Sequence, residues 1–478
     1  MRSASLRDVA AAVEGVLEGS GRLTVSGVST DSRAIRKRDL FVALKGVNHD
    51  GHSYLAEARS AGAVAAIVDR RNPRYRHFRD SFGGFPVVLV KDTLRALGDL
   101  AAWVRAGLDL EAVGITGSTG KTCTKDFLVA ALGVKYEVFA SPGSYNNEIG
   151  APLTVFGANG RHRVMVVEMG ARRPGDIERL ASIVNPRFGI ITNVGVTHLQ
   201  IFKTEERIAE TKAELAGALP SDGVLFLDAG DRWTAWIAGH TAAKVVKFGL
   251  GRGSGYRASR VRLDDDGRPS FQLSGPGFSV GIELRAVGRH QVLNACAAAA
   301  CAHRMGVPPD GIAEGMRGAS LSAWRMEFTE TDGGNVVIND AYNANPDSMR
   351  AAIEALGSVG AGRRKIAVLG GMAELGRDSR QFHADAGRQL VEFDIDLLVA
   401  VGRSARDYVT SAQASGLPKG SAFRCGNIEE ALAVLSQIVE PGDVVLVKAS
   451  RIQGLDRLAE ELGATGPARL RQKAAANV

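Results

Sequence analysis

The sequence predicts an α/β protein built of three domains, and three observations carry that prediction. At 478 residues the chain is too long for one core, since single domains run to about 100–200 residues. Short uninterrupted apolar runs (EAVGIT, RVMVVEMG and RFGIITNVG, later KIAVLG, DLLVAVG and DVVLVKAS) read as strands buried on both faces. Helix-like stretches follow these runs in turn, and strands alternating with helices imply parallel, doubly wound sheets.

The elements group into residues 1–90, 91–322 and 323–478. In the first region a short helix is expected over Leu6 to Glu18 and a strand over Arg22 to Val28. The segment DLFVALKG follows, and AVAAIVDR and FPVVLVKD close the region as buried strands. The second region opens with TLRALGDLAAWVRAGL, where Leu94, Leu97, Leu100, Ala101 and Val104 recur at helical spacing. Further on, RVRLDDDGRPSFQLSG alternates around an Asp-Gly turn and reads as a hairpin. In the third region NVVIND, KIAVLG, DLLVAVG and DVVLVKAS alternate with helices, the first of them NPDSMRAAIEALG. Its strands carry no G-x-G-x-x-G, and GLGRGSG at Gly249 to Gly255 lacks a helical continuation, so it reads as a turn and not as a dinucleotide site.

Composition narrows the function classes. Apolar residues make up 45% and charged residues 23%, the balance of a soluble globular protein. The net charge of +7 is scattered, apart from Arg36, Lys37 and Arg38, so an anionic small substrate is expected and nucleic acid is not. Cys123, Cys296, Cys301 and Cys425 form no C-x-x-C pair, which argues against a disulfide framework and a structural zinc site. Asp8 and Glu14 interrupt the start of the chain, and no charge-free run of about 18 apolar residues follows. No membrane insertion is expected, and the cytoplasm is the expected location.

The stretch GITGSTGKTCTKD, from Gly114 to Asp126, carries the chemistry. It misses the common phosphate-loop pattern, because Ile115 stands where a glycine belongs, and its spacing is G-x-x-G-x-x-G-K-T. A strand still leads into it and a helix leaves at Lys121, so its backbone N–H groups and helix N-terminus form a nest for phosphate oxygens. Lys121, expected on the solvent side of the loop, would reach the terminal phosphates, and the Thr122 hydroxyl would ligate Mg²⁺.

Glu168 ends a buried strand, where ligands of open α/β sheets gather, and could hold Mg²⁺ or activate a nucleophile. His198 lies just past the strand that ends near Asn193, and a structural role stands equally open. In the helix TEERIAETKAEL, capped by Thr204, Lys212 shares a face with Ile208, Thr211 and Leu215, so it points inward or lies solvated. His290 and Asn294 sit four residues apart on a small-residue helix. The turn DAYNANPDS places Asp340, Tyr342, Asn343 and Asn345 together ahead of a Pro346 helix start.

These segments together resemble the Mur ligase superfamily, the ATP-dependent amide-forming enzymes of peptidoglycan assembly. The family's phosphate loop, TG[ST]xGK[ST], is matched by TGSTGKT at Thr116 to Thr122, so the loop is intact and of another kind. STDSR, DGH, NNEIGAPLT, VVEMG, THLQIF, DAYNANPDSM, GGMAELG and VLVKAS extend the likeness along nearly the whole chain. YNANP and GMAELG point to the branch that joins D-alanyl-D-alanine to UDP-MurNAc-tripeptide, with another carboxylate and amine as the alternative.

The resemblance implies an N-terminal UDP-binding α/β domain, a central mononucleotide-binding ATPase domain and a C-terminal Rossmann-like domain that closes over the site. It implies ATP and Mg²⁺ as ligands, with Thr116, Gly117, Ser118, Thr119, Gly120, Lys121, Thr122, His290, Asn294, Arg325, Asp340 and Asn343 at the nucleotide. Lys121, Glu168, His198, Lys212 and Arg325 carry the chemistry. Thr122, Glu168, His198 and a carbamylated Lys212 hold the metal, while Ser32, Arg33, Asn146 and Asn147 hold the UDP-sugar peptide. A monomer is expected. The chain departs from the family pattern at Thr197, Gln291 and Trp324; at the last, many relatives have glycine.

Overall fold

The computed structural model describes residues 3–81, 83–331, 333–360 and 362–464. Three principal sheets succeed one another along the chain. The first has the strand order Val16–Glu18, Val87–Val90, Ala65–Asp69, Asp39–Val42, Gly27–Ser29, parallel except at Val16–Glu18. Two sequence expectations are corrected here. The helix covers only Leu6–Ala12, because Glu14 turns into the left-handed region (φ 50°) and Val16–Glu18 leaves to pair with Val87 to Leu89. The strand expected over Arg22 to Val28 is two strands, Thr24–Val25 paired with Ala4–Ser5 and Gly27–Ser29 paired with Asp39–Val42, broken where the Ser26 N–H donates to the Arg38 carbonyl.

The second sheet holds nine strands. In order they are Phe278–Glu283, Pro269–Gly275, Tyr256–Leu263, Lys244–Gly249, Val224–Asp228, Phe188–Ile191, Glu111–Thr116, Val164–Glu168 and Val138–Ala140. From Tyr256–Leu263 to Val138–Ala140 every neighbouring pair is parallel, and the expected hairpin forms the antiparallel edge. Alternation along a strand divides the core in two. Val164 and Val166 face the helices Lys121–Gly133, Gln291–Arg304 and Pro309–Arg317, whereas Met165 and Val167 face Thr93–Ala106, Asp176–Val184 and Glu205–Ala218. The core on the latter side continues through Leu97 and Leu100 into Leu40, Ile67 and Val88 of the first sheet.

The third sheet runs Glu327–Glu330, Val336–Asn339, Val444–Lys448, Lys365–Leu369, Leu397–Val401, Ala422–Cys425, and only the Glu327–Glu330 edge is antiparallel. Helices cover both faces, Pro346–Ser358, Ser379–Glu392 and Ala405–Ala414 on one and Ile428–Ile438 on the other. Its parallel strands end at Asn339 and Lys448, beside the cavity that also receives the ends of the second sheet's strands. Among the described residues no helix is long and apolar enough to cross a membrane.

Close helix contact on the second sheet depends on Gly315, where an added Cβ would stand 2.5 Å from the Ala130 carbonyl oxygen and 2.8 Å from the Ala131 Cα. Backbone cannot swing aside as a flexible side chain can. Gly315→Ala is therefore expected to cost about 1–3 kcal/mol through overpacking, despite alanine's better helix propensity. A lower Tm in thermal unfolding checks this; an unchanged or higher Tm contradicts it.

Candidate active site

The glycine-rich turn is shaped by contact. Gly117 and Gly120 adopt φ of 144° and 80°, and an added Cβ would stand 1.9 Å from the Thr192 hydroxyl oxygen and 2.2 Å from Asn294 Oδ1 respectively. Side chains there would fill the cradle. The end of the strand Phe188–Ile191 holds the loop: Ser118 N–H donates to the Asn193 carbonyl (3.0 Å) and Thr119 N–H to Asn193 Oδ1 (3.0 Å). Asn193 Nδ2 donates to Thr119 Oγ1 (2.7 Å), and the Thr192 hydroxyl to the Thr119 carbonyl (2.6 Å). Gln291, one of the departures noted above, accepts from Asn294 Nδ2 (2.9 Å) and so steadies the loop's other neighbour.

Lys121 is half-buried on the cavity wall, and its Nζ folds back to donate to the Gly117 carbonyl (2.7 Å). Burial lowers its pKa, opposed by the charge of Glu168. Thr116 is fully buried behind the loop and off the cavity wall, and its hydroxyl has no partner among the described residues.

Glu168 ends its strand 1% exposed, with Oε2 accepting from the Thr122 hydroxyl (2.7 Å) and Oε1 from Asn146 Nδ2 (2.8 Å). His198 takes a left-handed backbone (φ 52°), and its Nδ1 meets the carboxylate of Glu374 from the third region. Burial lowers the His198 pKa, and the Lys121 and Lys212 charges act in the same direction against Glu374. Lys212 points inward and is buried. Desolvation first, then the charge of Lys121, push its amine down to about 7.

The opposite wall comes from the third region and the segment leading to it. Arg325 donates to Ser144 Oγ (3.2 Å), and its guanidinium lies 4.2 Å from the centre of the Tyr342 ring. Lys448, 1% exposed, pairs with Asp340 Oδ2 (2.5 Å) and donates to the Asn343 carbonyl (2.9 Å), fixing that whole turn. Asn345 then caps Pro346–Ser358 through the Ser348 N–H (2.8 Å). His290 is pushed down to about 4 by burial, and its Nδ1 has no partner among the described residues.

One cavity of about 1080 Å³ collects these groups. It receives the loop from Gly117 to Thr122, then Asn146, Asn147, Glu168, His198 and Lys212, and across from them His290, Asn294, Arg325, Asp340 and Asn343. Ser32 and Arg33 lie outside its wall, on a short turn of the first region where exposed Arg33 pairs with Asp31 (2.8 Å). Sequence reasoning assigned no role to Lys448 or Glu374, although a lysine closing an apolar strand and the acid of GMAELG were visible signals. It also passed over Lys125, which is buried and donates to the carbonyls of Ser141 (3.0 Å) and Gly143 (2.9 Å), holding the loop that carries Asn146. Chemically, a glycine-rich loop beside lysine and arginine suits a polyanion, and a buried carboxylate and hydroxyl are oxygen donors of the kind a hard cation takes.

The chain is similar to known proteins along nearly its whole length. Family models described as the Mur ligase family catalytic domain, the Mur ligase middle domain and the Mur ligase glutamate ligase domain match residues 24–104, 115–302 and 324–451. A protein of Mycobacterium tuberculosis named UDP-N-acetylmuramoyl-tripeptide–D-alanyl-D-alanine ligase is 39% identical, with 93% of each chain covered. One of that name from Bacillus subtilis is 34% identical over 96% of this chain and 98% of its own. The crystal structure of MurF from Acinetobacter baumannii superposes with a TM-score of 0.88 at 30% identity, covering 97% of this chain and 99% of that one. MurF ligase from Thermotoga maritima in complex with ADP gives 0.80 at 28% identity, covering 94% and 99%.

The Asp340–Lys448 pair sets a stability test. Lys448→Met leaves a carboxylate largely enclosed without its cation and is expected to cost about 3–5 kcal/mol. Adding Asp340→Asn should recover much of that loss. Urea unfolding of the single and double variants measures both, and equal stability of Lys448→Met and the unaltered protein would refute the account.

Proposed function

The chain belongs to the Mur ligase family, and from that premise we propose that it joins D-alanyl-D-alanine to UDP-MurNAc-tripeptide at the expense of ATP, making a peptidoglycan precursor. The observation that carries the reading is the cavity, where the phosphate loop, Glu168, His198 and Lys212 face Arg325, Asp340 and Asn343.

The residues fit the nucleotide, since the glycine loop, held close against Thr192 and Asn294, and the buried, unpartnered Nδ1 of His290 all belong to the cavity wall. They also fit Mg²⁺, because the Thr122 hydroxyl, the Glu168 carboxylate and the His198 imidazole form a donor set for a hard cation. When bound there, Mg²⁺ would neutralise phosphate charge. Asn146 and Asn147 on the cavity wall, with Ser32 and Arg33 farther out on the first region, are the proposed contacts for the UDP-sugar peptide. The proposed division is residues 1–90 for the UDP end, 91–322 for ATP and 323–478 for closure over the site. Nucleotide-activated substrates and ATP support a cytoplasmic location, and a monomer is the working assumption.

A carboxylate does not react with an amine at neutral pH, so a peptide carboxylate oxygen first attacks the γ-phosphorus of ATP, the bond to the β,γ-bridging oxygen breaks, and ADP leaves an acyl phosphate behind. Two anions approach in that step, and Lys121 and Arg325 are the cations placed to offset their repulsion. The neutral amine of the dipeptide then adds to the acyl carbon, and phosphate leaves from the tetrahedral intermediate. No side-chain nucleophile is needed. The direct test is phosphate release from ATP with UDP-MurNAc-tripeptide, carrying lysine or diaminopimelate, with and without D-alanyl-D-alanine or other amines. Release that ignores D-alanyl-D-alanine refutes the reading. Lys121→Ala should slow turnover by roughly a hundredfold or more while keeping its fold by circular dichroism.

Burial and the lowered pKa support Lys212 as a carbamate. Near pH 7 a large share of its amine is neutral and can add to CO₂, releasing a proton, and the product is an anionic oxygen ligand. Because the folded pKa lies below that of free lysine, protonation as pH falls through about 7 should suppress the modification. A carbamate resonance is expected in ¹³C-NMR with labelled bicarbonate, fading towards acid and absent in Lys212→Arg. Lys212→Ala should lose activity and regain part of it with acetate. Full activity of Lys212→Arg, or no resonance at alkaline pH, would overturn the assignment.

A further inference from the structure

Arg451 has no role in the account above. It opens the short turn Arg451–Gln453 just past the strand Val444–Lys448 and stands on the wall of the same cavity. Its guanidinium lies 4.1 Å from the centre of the Trp324 ring and 5.7 Å from that of Tyr342. Among the described residues no carboxylate pairs with it, whereas Arg325, on the same Tyr342 ring, is already bonded to Ser144. Stacking fixes the plane of a guanidinium and leaves its edge N–H groups free. Trp324 is itself held in a left-handed backbone (φ 60°), its N–H donating to Glu327 Oε2 (3.0 Å), so the platform under Arg451 is set by the chain.

The neighbouring segment supplies the opposite charge. Ala373 N–H donates to Ser450 Oγ (2.9 Å) and Ser450 N–H to the Gly371 carbonyl (3.1 Å), so Glu374 and Arg451 each follow a member of one bonded pair. Glu374 meets His198, and both line the cavity together with Lys121 and Lys212, so its carboxylate stands on the side of the phosphate loop. The wall thus presents a carboxylate beside His198 and an unpaired guanidinium beside Trp324. A zwitterion with its ammonium and carboxylate at opposite ends is complementary to it, and enters with the amine towards the loop.

We propose that Arg451 binds the terminal carboxylate of the amine-bearing dipeptide. This rests on the ligase reading, and the test separates the two. Steady-state phosphate release would be measured for the unaltered protein, Arg451→Lys and Arg451→Ala, with D-alanyl-D-alanine and with its C-terminal amide. The unaltered protein should favour the acid over the amide by roughly tenfold or more, as loss of one charge-assisted hydrogen bond implies. Arg451→Ala should raise KM for the acid by roughly 10–100-fold and abolish the preference, leaving KM for ATP unchanged, with Arg451→Lys between. A merely structural role for Arg451 would not erase the acid-to-amide ratio. The proposal is overturned if Arg451→Ala keeps the ratio, if the unaltered protein shows none, or if KM for ATP rises in its place. Absence of any dipeptide-dependent release in the unaltered protein would instead sink the ligase reading.

Discussion

The rest of the site depends on the clearance around Gly117 and Gly120. At these two positions the loop backbone runs so close to Thr192 and Asn294 that there is no room for a methyl group. The contact ties together three pieces of chain that are far apart in sequence: the loop, the strand end at Thr192 and Asn193, and the helix carrying Asn294. Because each of those pieces is anchored in a buried core, and the Ser118 and Thr119 N–H groups are tied to Asn193, the loop backbone is held in one conformation, which lowers the ordering cost of binding. The departure at Gln291 belongs to the same construction, since its carbonyl holds the Asn294 side chain that limits Gly120.

Charge follows from that geometry. Lys121 and Lys212 share one enclosed volume, and desolvation lowers the pKa of each while Lys121 lowers that of Lys212 further. Arg325 adds to the positive field at Lys121. Such a cluster is unfavourable in the empty protein and becomes favourable when anions enter, which is how a site built for phosphates differs from one built for stability. Three carboxylates on the walls each have a partner there: Glu168 has Thr122 and Asn146, Asp340 has Lys448, and Glu374 has His198.

Much of this was legible in the sequence, for identifiable reasons. EAVGIT and the helix after it occupy the expected places, because a run buried on both faces and a glycine nest leave strong local patterns. The inward turn of Lys212 was only half legible: its apolar neighbours at helical spacing allowed it, but sequence alone favours a solvated lysine, and packing decides. The helix expected to reach Glu18 stops early because pairing with Val87 to Leu89, some seventy residues on, overrides local propensity. The bond from Lys121 to a carbonyl of its own loop was not legible, because sequence does not orient loop carbonyls. Lys448 and Glu374 escaped notice because their meaning lies in partners, Asp340 and His198, brought close only by tertiary structure.

The segment between the second and third sheets shows why both halves of the cavity are needed. Trp324 and Met326 flank Arg325 with left-handed backbones, at φ of 60° and 52°, a conformation that glycine adopts without strain. A bulky residue tolerates it only where its surroundings over-determine it. Here the Trp324 ring lies against Arg451, the Trp324 N–H binds Glu327 and the Met326 N–H binds Asp340 (3.2 Å). Asp126, five residues past Lys121, grips the start of the same segment at the Ser322 N–H (2.7 Å). The linker that carries Arg325 is therefore bonded at one end to the helix of the phosphate loop and at the other to the Asp340 turn. Movement of the third sheet relative to the second would pull on Arg325, which bonds Ser144 of the second region, so Arg325 keeps its place on the cavity wall only while the two halves are docked.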